Sequence, residues 1–231
     1  MLRLEGVHIR QGDFDLRADF TVPAGARVAI IGPSGGGKST LLGALAGFLP
    51  LTSGRILWAD TDITDAPPAA RPIAMLFQDN NLFPHLTVAQ NVGLGIRPAL
   101  RLTADHRATV DTALSRVGLP GMGARLPAQL SGGQQGRAAL ARVLVQRKPL
   151  IALDEPFAAL GPALKSEMLD LVADLLDETG ATLLMVSHAP GDARRLCPRT
   201  ILVDEGRAAP PADTTALLDN PPPGLRAYLG V

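Results

Sequence analysis

The sequence predicts an α/β fold: a mixed sheet with a parallel core, an N-terminal antiparallel β subdomain and an inserted helical subdomain. Three observations carry that expectation. Val28–Ile31, Leu150–Leu153 and Thr182–Val186 are short apolar runs, the pattern of strands buried on both faces. Each run ends in glycine or polar residues: Gly32 after the first, Asp154-Glu155 after the second, Ser187-His188 after the third. The carboxyl ends of parallel strands are where α/β sheets hold ligands. Between Thr87 and Arg147 strand-like runs are few and helical spacing dominates.

In chain order, Leu2, Leu4 and Val7, then Leu16, Ala18, Phe20 and Val22, read as antiparallel strands about a turn at Gln11-Gly12-Asp13. Val28–Ile31 leads into a glycine-rich loop, and Ser39–Gly47 is a small apolar helix ending near its last glycine. Arg55–Trp58 and Ile73–Phe77 add strands near the core. Ala104, Ala108, Val110, Leu114 and Val117 recur at roughly helical spacing, and Ser131 opens a further helix running to about Gln146. The whole of 1–231 is expected to be one domain, with a helical subdomain at about 80–148. The tail carries Pro210-Pro211 and Pro221-Pro222-Pro223 and is expected to be loop-rich.

With 231 residues, 46% of them hydrophobic, the chain can bury a sizeable core, which excludes intrinsic disorder. Lys+Arg and Asp+Glu both number 22, so no broad basic field is available to draw nucleic acid. Cys197 is the single cysteine, which rules out an intrachain disulfide and fits a reducing compartment. Met1–Gly6 lacks the apolar run of a secretory signal, and no stretch approaches the roughly 20 apolar residues of a membrane span. Work at a membrane would require another chain to hold this one there.

Gly32-Pro33-Ser34-Gly35-Gly36-Gly37-Lys38-Ser39-Thr40 contains the pattern G-x-x-x-x-G-K-[ST] between a strand and a helix. Its glycines let backbone N–H groups converge on phosphate oxygens, and the helix N-terminus adds positive potential. Lys38 is expected to reach the β- and γ-phosphates and Ser39 to bind Mg²⁺. Asp154 is expected to hold Mg²⁺ through water and Glu155 to polarise the attacking water. Gln78, after the strand Ile73–Phe77, can contact Mg²⁺ or water, and His188 can donate a hydrogen bond to a γ-phosphate. Leu130-Ser131-Gly132-Gly133-Gln134 is compatible with a simple capped helix start, and also with a second set of phosphate donors. Asn81–Val88, apolar with a proline break, is either buried packing or a loop that accepts a partner helix.

Together these residues resemble the ATP-binding subunits of ABC transporters, and the resemblance covers essentially the whole chain. It rests on Gly32–Thr40 as Walker A, Gln78 as the Q-loop, Leu130–Gln134 as the signature, Leu150–Asp154 with Glu155 as Walker B and catalytic carboxylate, and His188 as the H-loop. The resemblance implies a head-to-tail homodimer with ATP between the Walker A loop of one copy and Ser131, Gly132, Gly133 and Gln134 of the other. It implies Lys38, Gln78, Glu155 and His188 as the catalytic set, and Ser39, Gln78 and Asp154 around Mg²⁺. It further implies integral membrane permease partners, an indirect link to a periplasmic solute-binding protein, and a peripheral place on the cytoplasmic face of the inner membrane.

The runs Arg71–Gly95 and Thr182–His188 look like the subgroup that serves thiamine import, and the chain ends too early for the regulatory domain of sugar-importer ATPases. Importers of molybdate, iron, polyamines or sulfate are the alternatives within the family. Outside them stand a soluble ABC ATPase acting on nucleic acid or ribosomes, and a nucleotide-gated subunit with little turnover.

Three positions depart from the family pattern. Ala158-Ala159-Leu160 runs into Gly161 where the family has aspartate in the loop that bridges two ATP sites. Gly136, early in the signature helix, should cost up to about 1 kcal/mol relative to alanine. The turn Arg10–Asp13 lacks the aromatic residue that the family stacks on adenine; Phe14 is nearby and Arg10 offers a stacking surface instead. Weak adenine selectivity is therefore expected. Parallel ATP and GTP titrations test it, and strong ATP preference would overturn it.

Overall fold

The fold is that of a computed structural model, which describes every residue except Asn80, Ala159 and Val231. Asn80 of the run quoted above and Ala159 of the loop before Gly161 therefore lie outside the described residues. The chain opens with β1 (Leu2–Gln11), β2 (Phe14–Val22), β3 (Arg27–Ile31) and α1 (Lys38–Leu45), then β4 (Ser53–Trp58), β5 (Thr61–Asp62) and β6 (Ile73–Leu76). Helices follow: α2 (Val88–Gly93), α3 (Ala104–Arg116) and α4 (Gly132–Leu144). The chain continues through β7 (Leu150–Asp154), α5 (Pro162–Thr179), β8 (Thr182–Val186) and α6 (Pro190–Leu196). It closes with β9 (Arg199–Asp204), β10 (Arg207–Ala208), β11 (Ala212–Asp213), α7 (Thr214–Asp219) and α8 (Pro223–Leu229).

Two compact units share these elements. The first comprises 1–73, 149–154 and 176–231; the second comprises 74–148 and 155–175.

In the first unit a mixed sheet runs in the order β5-β4-β1-β2-β10-β9-β3-β8-β7. β1 pairs antiparallel with β2 and β4, giving one half of the sheet. Burial alternates along β2, with Leu16, Ala18, Phe20 and Val22 inward and Arg17, Asp19 and Thr21 outward. That is the period-two signature of a sheet with one wet face. The other half is parallel: β3 lies between β9 and β8, and β8 pairs with β7. All five residues of β7 and of β8 are buried, as strands covered on both faces must be. α1 packs against β7.

Arg71 fastens this unit from within. It is 2% exposed, and its guanidinium donates to the carbonyls of Ala44 and Leu45, in the last turn of α1, and of Thr64 and Ala66. The Ala44 carbonyl also accepts from the Gly47 N–H at 3.1 Å, and a cation at this helix C-terminus complements the helix dipole. Burial lowers the Arg71 pKa from its ordinary value, an effect that the nearby Asp65 opposes. Gly47 makes room for the side chain, since a Cβ there would lie 2.6 Å from Arg71 Nε.

The tail differs from expectation. Residues 214–219 and 223–229 are helical, not loop. Asp213 caps α7 by accepting from the Ala216 N–H at 2.9 Å. Pro223 opens α8 at the first helical position, where a missing N–H costs nothing.

In the second unit, α2, α3 and α4 pack on one another. Thr87 caps α2, Thr103 caps α3 and Ser131 caps α4, each in a reciprocal box with the residue three positions on. The unit also takes in 155–175, which contains most of α5 and which the sequence reading left outside its helical segment.

Candidate functional site

In the first unit the parallel strands bring three of the sequence-selected segments to one sheet edge. Asp154 lies opposite Val186 on β8, and Val186 lies opposite Ile30 on β3. Gly32 and His188 each follow two residues after those paired positions, so the phosphate loop, Asp154 and the Ser187-His188 turn leave the same edge. Asp154 is 4% exposed, and the strand that carries it is buried throughout.

The loop is shaped by its glycines. A Cβ on Gly32 would lie 1.9 Å from the Val203 carbonyl oxygen, so the loop passes directly over β9. Gly37 caps α1 with φ 104°, and a Cβ there would lie 2.7 Å from Phe14 Cζ. The first turn of α1 holds no acidic residue and no side chain caps it, so its N–H groups face outward as anion donors. Lys38 is 6% exposed, and its ammonium donates to the Gly32 and Pro33 carbonyls at 2.9 Å each.

A cleft of about 380 Å³ beside the loop is bordered by Phe14, Ser34, Gly35 and Gly36, with the carboxylates of Asp13 and Glu205 on its rim. Phe14, not Arg10, lines this cleft. Arg10 stands before the hairpin turn, and its Nε donates to the Gly12 carbonyl at 3.4 Å. Glu205 escaped the sequence reading; the only local signal is the turn Glu205-Gly206, where both residues take positive φ.

The His188 turn is held by side chains that sequence reasoning also missed. Ser187 and Asp192 are both buried, and the Ser187 hydroxyl donates to Asp192 Oδ2 at 3.2 Å. The same hydroxyl accepts from the Ala189 N–H at 3.1 Å.

In the second unit, Gln78 is exposed just after β6. Ser131 and Gln134 form a capping box at the start of α4: Ser131 Oγ accepts from the Gln134 N–H at 3.3 Å, and Gln134 Oε1 accepts from the Ser131 N–H at 2.9 Å. No acidic residue sits in that first turn. Ser131 and Gly132 are exposed while Leu130 is 7% exposed and anchors the segment. Glu155 adopts φ 49°, a left-handed conformation unusual for a non-glycine residue. Strained backbone of this kind concentrates at functional sites.

Residues 81–87 form a loop, not buried packing: Phe83 is 48% exposed. Asn91, fully buried, organises it by accepting from the Phe83 N–H and donating to the Phe83, Leu86 and Thr87 carbonyls.

The oxygen donors Ser39 and Asp154 suit a hard divalent cation that keeps its waters and phosphate ligands, because one hydroxyl and one carboxylate make no protein cage. Among the described residues no group of three or more His, Cys, Asp or Glu side chains forms such a cage.

A strand, a glycine-rich phosphate loop and a helix, set beside a buried aspartate in a mixed sheet, define a nucleotide-binding cassette. Residues 16–158, more than half of the chain, match the family model described as ABC transporter, and the chain belongs to that family. It is 63% identical to the thiamine import ATP-binding protein ThiQ of Cereibacter sphaeroides over the full length of both chains. Against the protein of the same name from a Ruegeria species the identity is 62%, again over the full length of both. Among solved structures, the ATP-binding cassette MJ0796, in a dimeric post-hydrolysis state bound to ADP and Pi, superposes with a TM-score of 0.83. That pair is 28% identical, covering 93% of this chain and 99% of the other.

Proposed function

We propose that this chain is the ATP-binding subunit of an ABC importer for thiamine or its phosphates. The observation that carries the solute is the identity of 62–63% over the whole length with two thiamine import ATP-binding proteins. No side chain of this subunit needs to touch the solute.

ATP sits on the loop Gly32–Thr40, with its phosphates on the loop N–H groups, the α1 N-terminus and Lys38. Ser39, Gln78 and Asp154 would hold Mg²⁺, which would supply charge neutralisation at the phosphates. Glu155 orients and polarises the attacking water, and His188 donates to the γ-phosphate. Ser131, Gly132, Gly133 and Gln134 of a second copy complete the site from the opposite side, so two ATP molecules lie in a head-to-tail homodimer. The exposed start of α4, free of acidic side chains in its first turn, supports that role.

Closure of the dimer acts on integral membrane permease subunits, and hydrolysis resets it. The 81–87 loop, with Phe83 exposed, is the surface offered to them. On this reading the chain is a peripheral subunit at the cytoplasmic face of the inner membrane. Among the described residues no helix is long and apolar enough to cross a membrane. A periplasmic solute-binding protein connects only through the permease, and nucleic acid is not a partner.

Reconstitution with the permease in lipid vesicles tests the assignment. ATP hydrolysis should rise several-fold when thiamine-loaded binding protein is added. Stimulation by molybdate, iron, polyamine or sulfate systems with none by thiamine would replace the solute.

A further inference from the structure

We infer that Tyr228 is a positioning residue for hydrolysis: its hydroxyl donates to His188 Nδ1 and so fixes the imidazole with its proton on Nε2. This rests on the role proposed above for His188. The two side chains meet within the first unit, with the Tyr228 hydroxyl 2.6 Å from His188 Nδ1 and the ring centroids 6.1 Å apart. Tyr228 is the single tyrosine of the chain.

The contact is built from both sides. The His188 turn is tied down by the buried Ser187–Asp192 pair. α8, which carries Tyr228, packs against β9 so closely that a Cβ on Gly224 would lie 2.0 Å from Asp204 Oδ2. Leu225 is fully buried beneath it, and Gly230 in the left-handed region closes the helix just past Tyr228. The tail thus delivers one hydroxyl to one ring nitrogen.

The chemistry follows from the two nitrogens of neutral imidazole, one a donor and the other an acceptor. A γ-phosphate oxygen only accepts, so a useful His188 must present an N–H to it. With Nδ1 accepting from Tyr228, the ring proton is on Nε2. Without the hydroxyl, the tautomer with its proton on Nε2 loses the stabilisation of this hydrogen bond, so a smaller fraction of molecules presents an N–H to the phosphate. The loss falls on turnover more than on ATP affinity, which the phosphate loop and Lys38 supply.

Tyr228→Phe removes one oxygen and keeps the ring. Its kcat for ATP should fall about fivefold, the worth of one orienting hydrogen bond, with KM for ATP within about twofold of the parent. Nitrogen NMR of the imidazoles supplies a readout that a packing role would not move. The His188 signals, identified as those lost in His188→Gln, should show an accepting Nδ1 and a protonated Nε2 in the parent chain and a mixture in Tyr228→Phe. A parent chain with the proton on Nδ1 overturns the inference, whatever the stability of the variant. So does parental kcat in Tyr228→Phe when His188→Gln has lost turnover. Parental turnover in His188→Gln sinks the role of His188 itself, a separate result.

Discussion

Glu155→Gln lowers ATP turnover by at least about 100-fold while ATP still binds, the expected loss when a water-activating carboxylate becomes an amide. Glutamine keeps the shape and the hydrogen-bonding reach but cannot accept a proton from the attacking water. The backbone at residue 155 is the reason to choose glutamine. Glu155 is held at φ 49°, a strain that any β-carbon side chain shares and that glutamine therefore leaves unchanged. Stability should stay within about 0.5 kcal/mol of the parent, so that a lost rate reports chemistry and not unfolding. Phosphate release gives the rate. Size-exclusion chromatography with ATP gives the second readout, a long-lived dimer that the parent forms only transiently. Turnover at the parental rate would remove Glu155 from its assigned role.

Gly32→Ala is expected to cost at least about 3 kcal/mol or to prevent folding, because backbone must move to admit one methyl group. The added carbon would lie 1.9 Å from the Val203 carbonyl oxygen, and 2.9 Å from the carbon that bears it. Both atoms belong to β9, whose Leu202 pairs in register with Ile31 of β3, so neither strand can yield alone. Gly161→Ala is the matched control. Among the described residues nothing lies within 4 Å of a Cβ there, and a change within about 0.5 kcal/mol is expected. Urea titration of the three chains separates the two outcomes. Equal midpoints for Gly32→Ala and Gly161→Ala would show that the loop can lift off β9.

The fold class was readable because its strongest signals are local. β3, β7 and β8 are short buried runs, and each is followed at once by the polar or glycine residues that end it. Thr103 and Ser131 announce their helices by the residue type that caps them. What stayed hidden depends on distance along the chain. β10 joins the two halves of the sheet by pairing parallel with β2, from nearly two hundred residues away, through two residues too short to show a period. The prolines near residue 222 signal a break, yet one of them starts α8; only the packing of that helix on β9 decides between the two. Among the candidate site residues, Lys38, Asp154 and His188 sit in recognisable strings, whereas Tyr228 meets His188 across forty residues and Glu205 borders the cleft from an ordinary turn. In the sequence Arg71 is only the first residue of the run Arg71–Gly95, and only the fold shows that four carbonyls converge on it.

If Lys38 reaches the phosphates as proposed, its ammonium, seated on the Gly32 and Pro33 carbonyls, makes nucleotide binding an exchange and not a simple gain. The charge is already coordinated before any ligand arrives, so the loop has an internal competitor for its own lysine. Neutral carbonyls hold an ammonium less strongly than phosphate oxygens do, and the difference between the two sets of acceptors is what a ligand can draw on. A weakly charged anion gains almost nothing from the swap, whereas a triphosphate gains with each oxygen it offers. On that reading the resting loop favours ligands that offer several phosphate oxygens, because each one competes with a carbonyl already in place.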